Sequence, residues 1–214
     1  GKQAGEAMVA FLKERHGSAK GKVLEITGNL GQNVAQLRGA GFNDVIKKNP
    51  GITVITKVGD WDAPKGVDIV RDVASAEADL DGIYMHSDCV YSEGTVQTLK
   101  ELGKGAESGQ KGHIFLASVD ACLSALELMR ANKFDHASNQ PIPDFGMLAV
   151  DFIEKKLKGE TIAPGEVKKD GTLWSPARVE KSDVGMQLFL STTPINKSNM
   201  NDERLWGNIE KKNG

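Results

Sequence analysis

The chain has 214 residues, with 27 Lys+Arg against 29 Asp+Glu and a formal charge of −2, enough for one large domain or two small lobes around a substantial core. No basic stripe with interleaved aromatics marks a nucleic-acid surface, and no apolar run approaches the ~20 residues of a membrane-spanning helix. The two cysteines, Cys89 and Cys122, lack the CxxC or Cys/His company of a zinc site.

The chain opens on GKQAGEAM, and Ala4, Ala7, Met8, Phe11 and Leu12 make a helical stripe over 3–15 that Gly17 and Gly21 end. Residues 22–27 have the β-branched and apolar content of a buried parallel strand. Gly28-Asn29-Leu30-Gly31 then turns the chain, and Asn33 is the expected N-cap of a helix over 33–48. That helix presents Val34, Leu37, Phe42, Val45 and Ile46, and Asn49-Pro50-Gly51 stops it. A strand at 52–58 follows, then a helix over 63–76 containing Val67, Ile69, Val70 and Val73, and a strand at 83–86. A helix at 89–102, a polar glycine-rich loop at 103–112, a strand at 113–118 and a helix at 121–131 complete the regular part.

After Gln140 the texture changes. Pro141 and Pro143 bracket a crossing, and a helix over 144–158 carries Phe145, Leu148, Phe152 and Ile153 on one side. From Gly159 regularity thins; Trp174, residues 184–190 and Trp206 point to two short strands and a docked tail. Strands alternating with helices over short connections argue an α/β fold with an open parallel sheet flanked by helices. No repeat of solenoid length is visible.

In such a fold the strand C-termini collect on one rim, where ligands bind. Arg38, Trp61, Ser87, Asp88 and Asp120 fall on or near it. A guanidinium, a flat indole and carboxylates suit a polyhydroxylated ligand better than catalysis. Each has a plainer reading beside it: Arg38 as a surface arginine, Trp61 as core packing, Asp120 as a helix N-cap. Asp88 is read as the cap of the helix beginning at Cys89. Hydrolysis would need an acid–base pair or a nucleophile beside a histidine. The histidines at 16, 86, 113 and 136 are scattered, and His86 alone approaches the rim. No enzyme is expected. GNLGQN misses the dinucleotide spacing, and no acidic residue ends the next strand; no cofactor or metal is expected. Cys89 and Cys122 each fall in the first turn of a helix. A bridge requires their strands to be neighbours, and two unpaired, partly buried thiols are expected.

The strings GNLGQNVAQLRGAGF, GDW, DGIYMHSD, LASVDACLSALELM and NQPIPDFGMLAVDFIEKKLKGE, in that order, resemble the periplasmic sugar-binding proteins of ABC transporters, of the ribose, galactose and xylose type. The resemblance covers about residues 1–160, with a tail at 193–208. It implies that 1–140 form one Rossmann/flavodoxin-like lobe of a type 1 periplasmic binding protein. Residues 141–192 would return to the first lobe, and 193–214 would supply a hinge passage and tail. Gly1 would fall just after the first hinge crossing, leaving on the order of a hundred residues of the first lobe outside this chain. The 144–158 helix would then lack its partner. Burying one such side chain is worth about 1.5–3 kcal/mol, so the helix is expected to dock on another copy of the chain or fold back onto the 1–140 sheet.

The resemblance also implies the site. Arg38 would donate to sugar hydroxyls, Trp61 would stack on the ring, and Asp120 would accept hydroxyls. Ser87 stands where the family often has Asn and would reach fewer oxygens. Gln140 matches a hinge-region amide that bonds ligand, and at least one of Gln32 and Asn33 would face the cleft. The implied function is capture of a monosaccharide or small polyol in the periplasm and delivery to an ABC permease, without nucleic acid. The alternative is the sugar-effector domain of a lactose-repressor-like transcriptional regulator. Half a cleft makes about half the contacts, so millimolar or undetectable binding is expected of the chain alone.

Overall fold

Strand and helix alternate from the first residues of the computed structural model, which describes residues 1–213. Helix α1 (Lys2–His16) leads, ended by Gly17 in the left-handed region at φ 70°. Then come β1 (Lys20–Thr27), α2 (Asn33–Ile46), β2 (Gly51–Val58), α3 (Ala63–Ala76), β3 (Leu80–Met85), α4 (Asp88–Glu101), β4 (Phe115–Asp120), α5 (Leu123–Arg130) and β5 (His136–Asn139). The five strands are parallel in the order β2-β1-β3-β4-β5. The order reverses at β1, which places a crevice above its C-terminal end.

Period-two alternation splits each central strand between two cores. Leu24, Ile26, Ile83, Met85 and Leu116 join Val70, Val73 and Leu126 from the helices on one face. Val23, Tyr84, Ala117 and Val119 join Met8, Leu12 and Phe42 of α1 and α2 on the other. Both faces are covered, so nearly continuous apolar strands are required, as the sequence has.

Helix α2 corrects the expected core stripe. Only Ala35, Phe42 and Ile46 are buried, while Val34 and Leu37 are 42% and 63% exposed. The first turns of α2 stand over the rim rather than over the sheet. Gln32, not Asn33, occupies its N-cap, with no side-chain cap bond.

Beyond β5 run α6 (Ile142–Leu157), β6 (Gly165–Val167), β7 (Ala177–Ser182), β8 (Gly185–Phe189), β9 (Thr193–Ile195) and α7 (Trp206–Asn213). Strand β9 pairs antiparallel with β5 at the edge of the main sheet. The other three strands form a separate antiparallel sheet, β6-β7-β8, so four strands follow Gly159 where the sequence pattern indicated two. Helix α6 packs there rather than on the main sheet, correcting the fold-back expectation. Leu148 meets Trp174 and Ala177, and the Trp174 indole N–H donates to Asp144 Oδ1 at 3.0 Å. Trp174 covers Leu148, the one buried side chain of α6, while Phe145 and Ile153 are 43% and 58% exposed. Phe145 and Phe152 remain on the wall of a groove of about 470 Å³ between α6 and β7–β8.

Candidate functional site

The loops that follow β1, β2, β3 and β4 meet at the rim, and Asp120 is their centre. Its carboxylate accepts from Arg38 Nη2 at 2.7 Å and Nη1 at 3.3 Å, and from Ser87 Oγ at 2.6 Å. Arg38 also donates to the His86 carbonyl. The Arg38 and Asp120 side chains are 15% and 13% exposed, so the pair is held by packing yet reachable from the rim. Two-point donation fixes the guanidinium plane, leaving its free edge and the outer carboxylate lone pairs for a ligand's hydroxyls.

Trp61 sits beside this pair, with its ring 5.7 Å from the Arg38 guanidinium carbon. Its backbone N–H donates to Tyr91 Oη at 2.8 Å, and that hydroxyl donates to the Thr27 carbonyl at 3.1 Å. Its indole N–H donates to Gln32 Oε1 at 2.7 Å. Gly28 makes the placement feasible, because a Cβ there would overlap the indole ring. Asp60 and Trp61 hold φ near 56° and 59°, and Asp120 and Ala121 hold 112° and 61°. Side-chain-bearing residues seldom adopt such values, and they persist where surrounding contacts over-determine them.

All seven residues expected at the site lie on this rim, in linked groups: Arg38, Ser87 and Asp120; Trp61 and Gln32; and Asn33 and Gln140, which with Arg38 line a cavity of about 400 Å³. Ser87 is buried and commits its hydroxyl to Asp120. Gln3 and Thr192 also line the cavity, and Gln3 Nε2 donates to the Thr192 carbonyl at 2.9 Å. No sequence pattern marked either, because they come from the two ends of the fold.

Three side chains act differently from their sequence reading. Asp88 does not cap its own helix; Ser87 holds that position without a side-chain bond. The Asp88 carboxylate reaches across to the next loop, accepting from Ser118 Oγ at 2.6 Å and from the Ala121 and Cys122 N–H groups at 2.9 Å each. Those amides precede α5, whose N-cap is Cys122 rather than Asp120. Burial and the nearby Asp120 charge push the Asp88 carboxyl up to about 7, against the three hydrogen bonds that favour its ionised form. Cys89 and Cys122 are paired in a disulfide with Cα atoms 5.4 Å apart, correcting the expectation of free thiols. Adjacency of β3 and β4 brings the two helix starts together.

His86 is fully buried beneath the rim. The Gly28 N–H donates to its Nδ1 at 3.3 Å, which leaves Nε2 to donate to Glu25 Oε1 at 3.2 Å. Both ring nitrogens are therefore engaged, and Thr56 and Asn43 complete the bonding of Glu25. Trp206 was legible only as a docked tail, yet its indole N–H donates to the Asp120 carbonyl at 2.6 Å, tying α7 to the centre of the site.

A sequence profile described as a periplasmic binding protein domain matches residues 1–161. The galactofuranose-binding protein YtfQ of Escherichia coli K12 is 29% identical over 166 residues, covering 76% of this chain and 47% of that protein. The ribose import binding protein RbsB of Bacillus subtilis is 24% identical over 161 residues, covering 75% and 49%. The chain thus spans about half the length of the curated relatives it matches. Among solved structures, a galactofuranose-binding protein superposes with a TM-score of 0.72 at 22% identity, covering 99% of this chain and 63% of that one.

Proposed function

Because this chain belongs to the periplasmic binding protein family, with its profile matched over residues 1–161, we propose that it forms the Arg–Asp-bearing side of a sugar cleft. The ligand is a monosaccharide or small polyol, and the whole protein hands it to an ABC permease from the periplasm. Residues 1–140 form one lobe, 141–192 belong with the other, and 193–213 pass back through the hinge. The observation that supports this most is the Arg38–Asp120 pair beside Trp61 on the strand-end rim. Arg38 donates to hydroxyl oxygens, Asp120 accepts hydroxyl protons, and Trp61 covers the apolar C–H face of a ring. Gln32, Asn33 and Gln140 ring this centre, and Ser87 fixes the Asp120 carboxylate rather than reaching the sugar. The curated relatives bind or import sugars according to their names, which supports the ligand class.

The test is a ¹H–¹⁵N titration of the chain with D-ribose, L-arabinose, D-galactose and myo-inositol at millimolar concentrations. Saturable shifts should appear at the Trp61 indole N–H and in the Asp120 loop, and those of the loop should weaken at least tenfold in Trp61→Ala. Saturable shifts confined to residues away from the Trp61 indole and the Asp120 loop would overturn the assignment.

A further inference from the structure

Three successive residues after β3 each grip the loop after β4. Ser87 donates to Asp120, Asp88 accepts from the Ala121 and Cys122 amides, and Cys89 is bonded covalently to Cys122. The gripped loop carries the sugar-reading carboxylate, and its Asp120 and Ala121 sit at φ 112° and 61°, values that need external restraint. We propose that the Cys89–Cys122 disulfide is a positioning element for Asp120, so that sugar affinity at this site responds to thiol–disulfide exchange. The inference rests on the sugar-site reading of Asp120.

The bond is placed for exchange. Cys89 is exposed, whereas Cys122 is 6% exposed, so an external thiolate meets the Cys89 sulfur. Attack there breaks the S–S bond and releases the Cys122 sulfur as a thiolate. That sulfur lies at the N-terminus of α5, where the helix dipole favours negative charge. When the reductant is a dithiol, its second thiol displaces the Cys89 sulfur from the mixed disulfide. The chain gains two electrons and two protons, and the dithiol closes to its own disulfide. The other two grips do not replace the lost one. Ser87 holds a single oxygen of Asp120. Asp88, raised to about 7 by burial and by Asp120, is part carboxylic acid at neutral pH and then accepts from the loop amides more weakly than the carboxylate does. With the bond cut, Asp120 and Ala121 are released towards commoner backbone angles, and the carboxylate leaves its register with Arg38.

The experiment compares the full chain before and after dithiothreitol, with a Cys89→Ser/Cys122→Ser double variant as the permanently open form. The first readout, ¹⁵N relaxation, needs no ligand. Order parameters at 120–122 should fall from about 0.85 to below about 0.6 on reduction and in the double variant, with β1 and β3 unchanged. The second readout is D-ribose affinity by shift titration, which should weaken at least tenfold on reduction. Unchanged order parameters at 120–122, loss of the β1 and β3 signals as well, or a loosened loop with unchanged D-ribose affinity would each overturn the proposal. A loosened loop in a chain that binds D-ribose in neither state would support the positioning role and count against the ribose reading.

Discussion

Replacing Asp88 by Asn should change how stability depends on pH, and the sign follows from burial. The carboxyl has an ordinary value of 3.8 and titrates near 7 in the folded chain. Between those values the folded state holds a proton that the unfolded state has released. Stability contributed at this site is therefore present in acid and is lost as pH rises from about 4 to about 7, with no further change above. At 1.36 kcal/mol per pH unit, a rise of about 3 corresponds to about 4 kcal/mol as an upper limit. Asn removes this slope at a separate cost. Asp88 Oδ2 faces Ser118 Oγ and the Ala121 N–H, and Oδ1 faces the Cys122 N–H. An amide has only one acceptor oxygen, so one backbone N–H loses its partner, at about 1–3 kcal/mol. Asp88→Asn should accordingly be the less stable form near pH 4.5 and should draw level with or overtake the native chain above pH 7. Urea unfolding followed by circular dichroism at a series of pH values measures this, because titrating groups that do not interact with Asp88 cancel in the difference. Parallel curves for the two proteins would refute the assignment of a raised Asp88.

Two further substitutions probe the supports of the site. Gly28→Ala puts a Cβ into the Trp61 indole; overpacking of this kind costs about 1–3 kcal/mol, and the indole should leave Gln32 and shift its fluorescence to the red. An unmoved Trp61 indole N–H resonance would contradict the close-approach account of Gly28. Leu148→Ala removes the buried contact of α6 with Trp174 and Ala177. Because Leu148 lies at a groove edge, the loss should be near the low end of the usual range, about 2 kcal/mol, and proteolysis within 160–192 should accelerate at least tenfold. Unchanged cleavage there would show that the small sheet does not depend on α6.

The sequence by itself determined the alternation of elements and the parallel sheet, because apolar runs such as VLEIT and GIYM and their punctuation by Gly, Pro and Asn are local signals. The rim residues followed, since a strand that opens a helix leaves its loop at one edge. Periodicity misjudged α2 because it reports which residues share a helix face and not what that face meets. Val34 and Leu37 continue the stripe but project over the rim, where no sheet lies beneath them. The contact of α6 was likewise invisible: its Leu148 meets Trp174 and Ala177, which lie far along an irregular stretch.

Which side chains join was decided by tertiary structure alone. Asp88 reads as a cap of its own helix, but adjacency of β3 and β4 puts the next loop's amides within its reach. The same adjacency sets Cys89 against Cys122. Strand order is a property of the whole sheet, and nothing in residues 83–89 or 115–122 encodes it separately. Composition and local pattern thus placed acids, a guanidinium and an indole on one edge, while the packing of distant strands chose the hydrogen-bond partner of each.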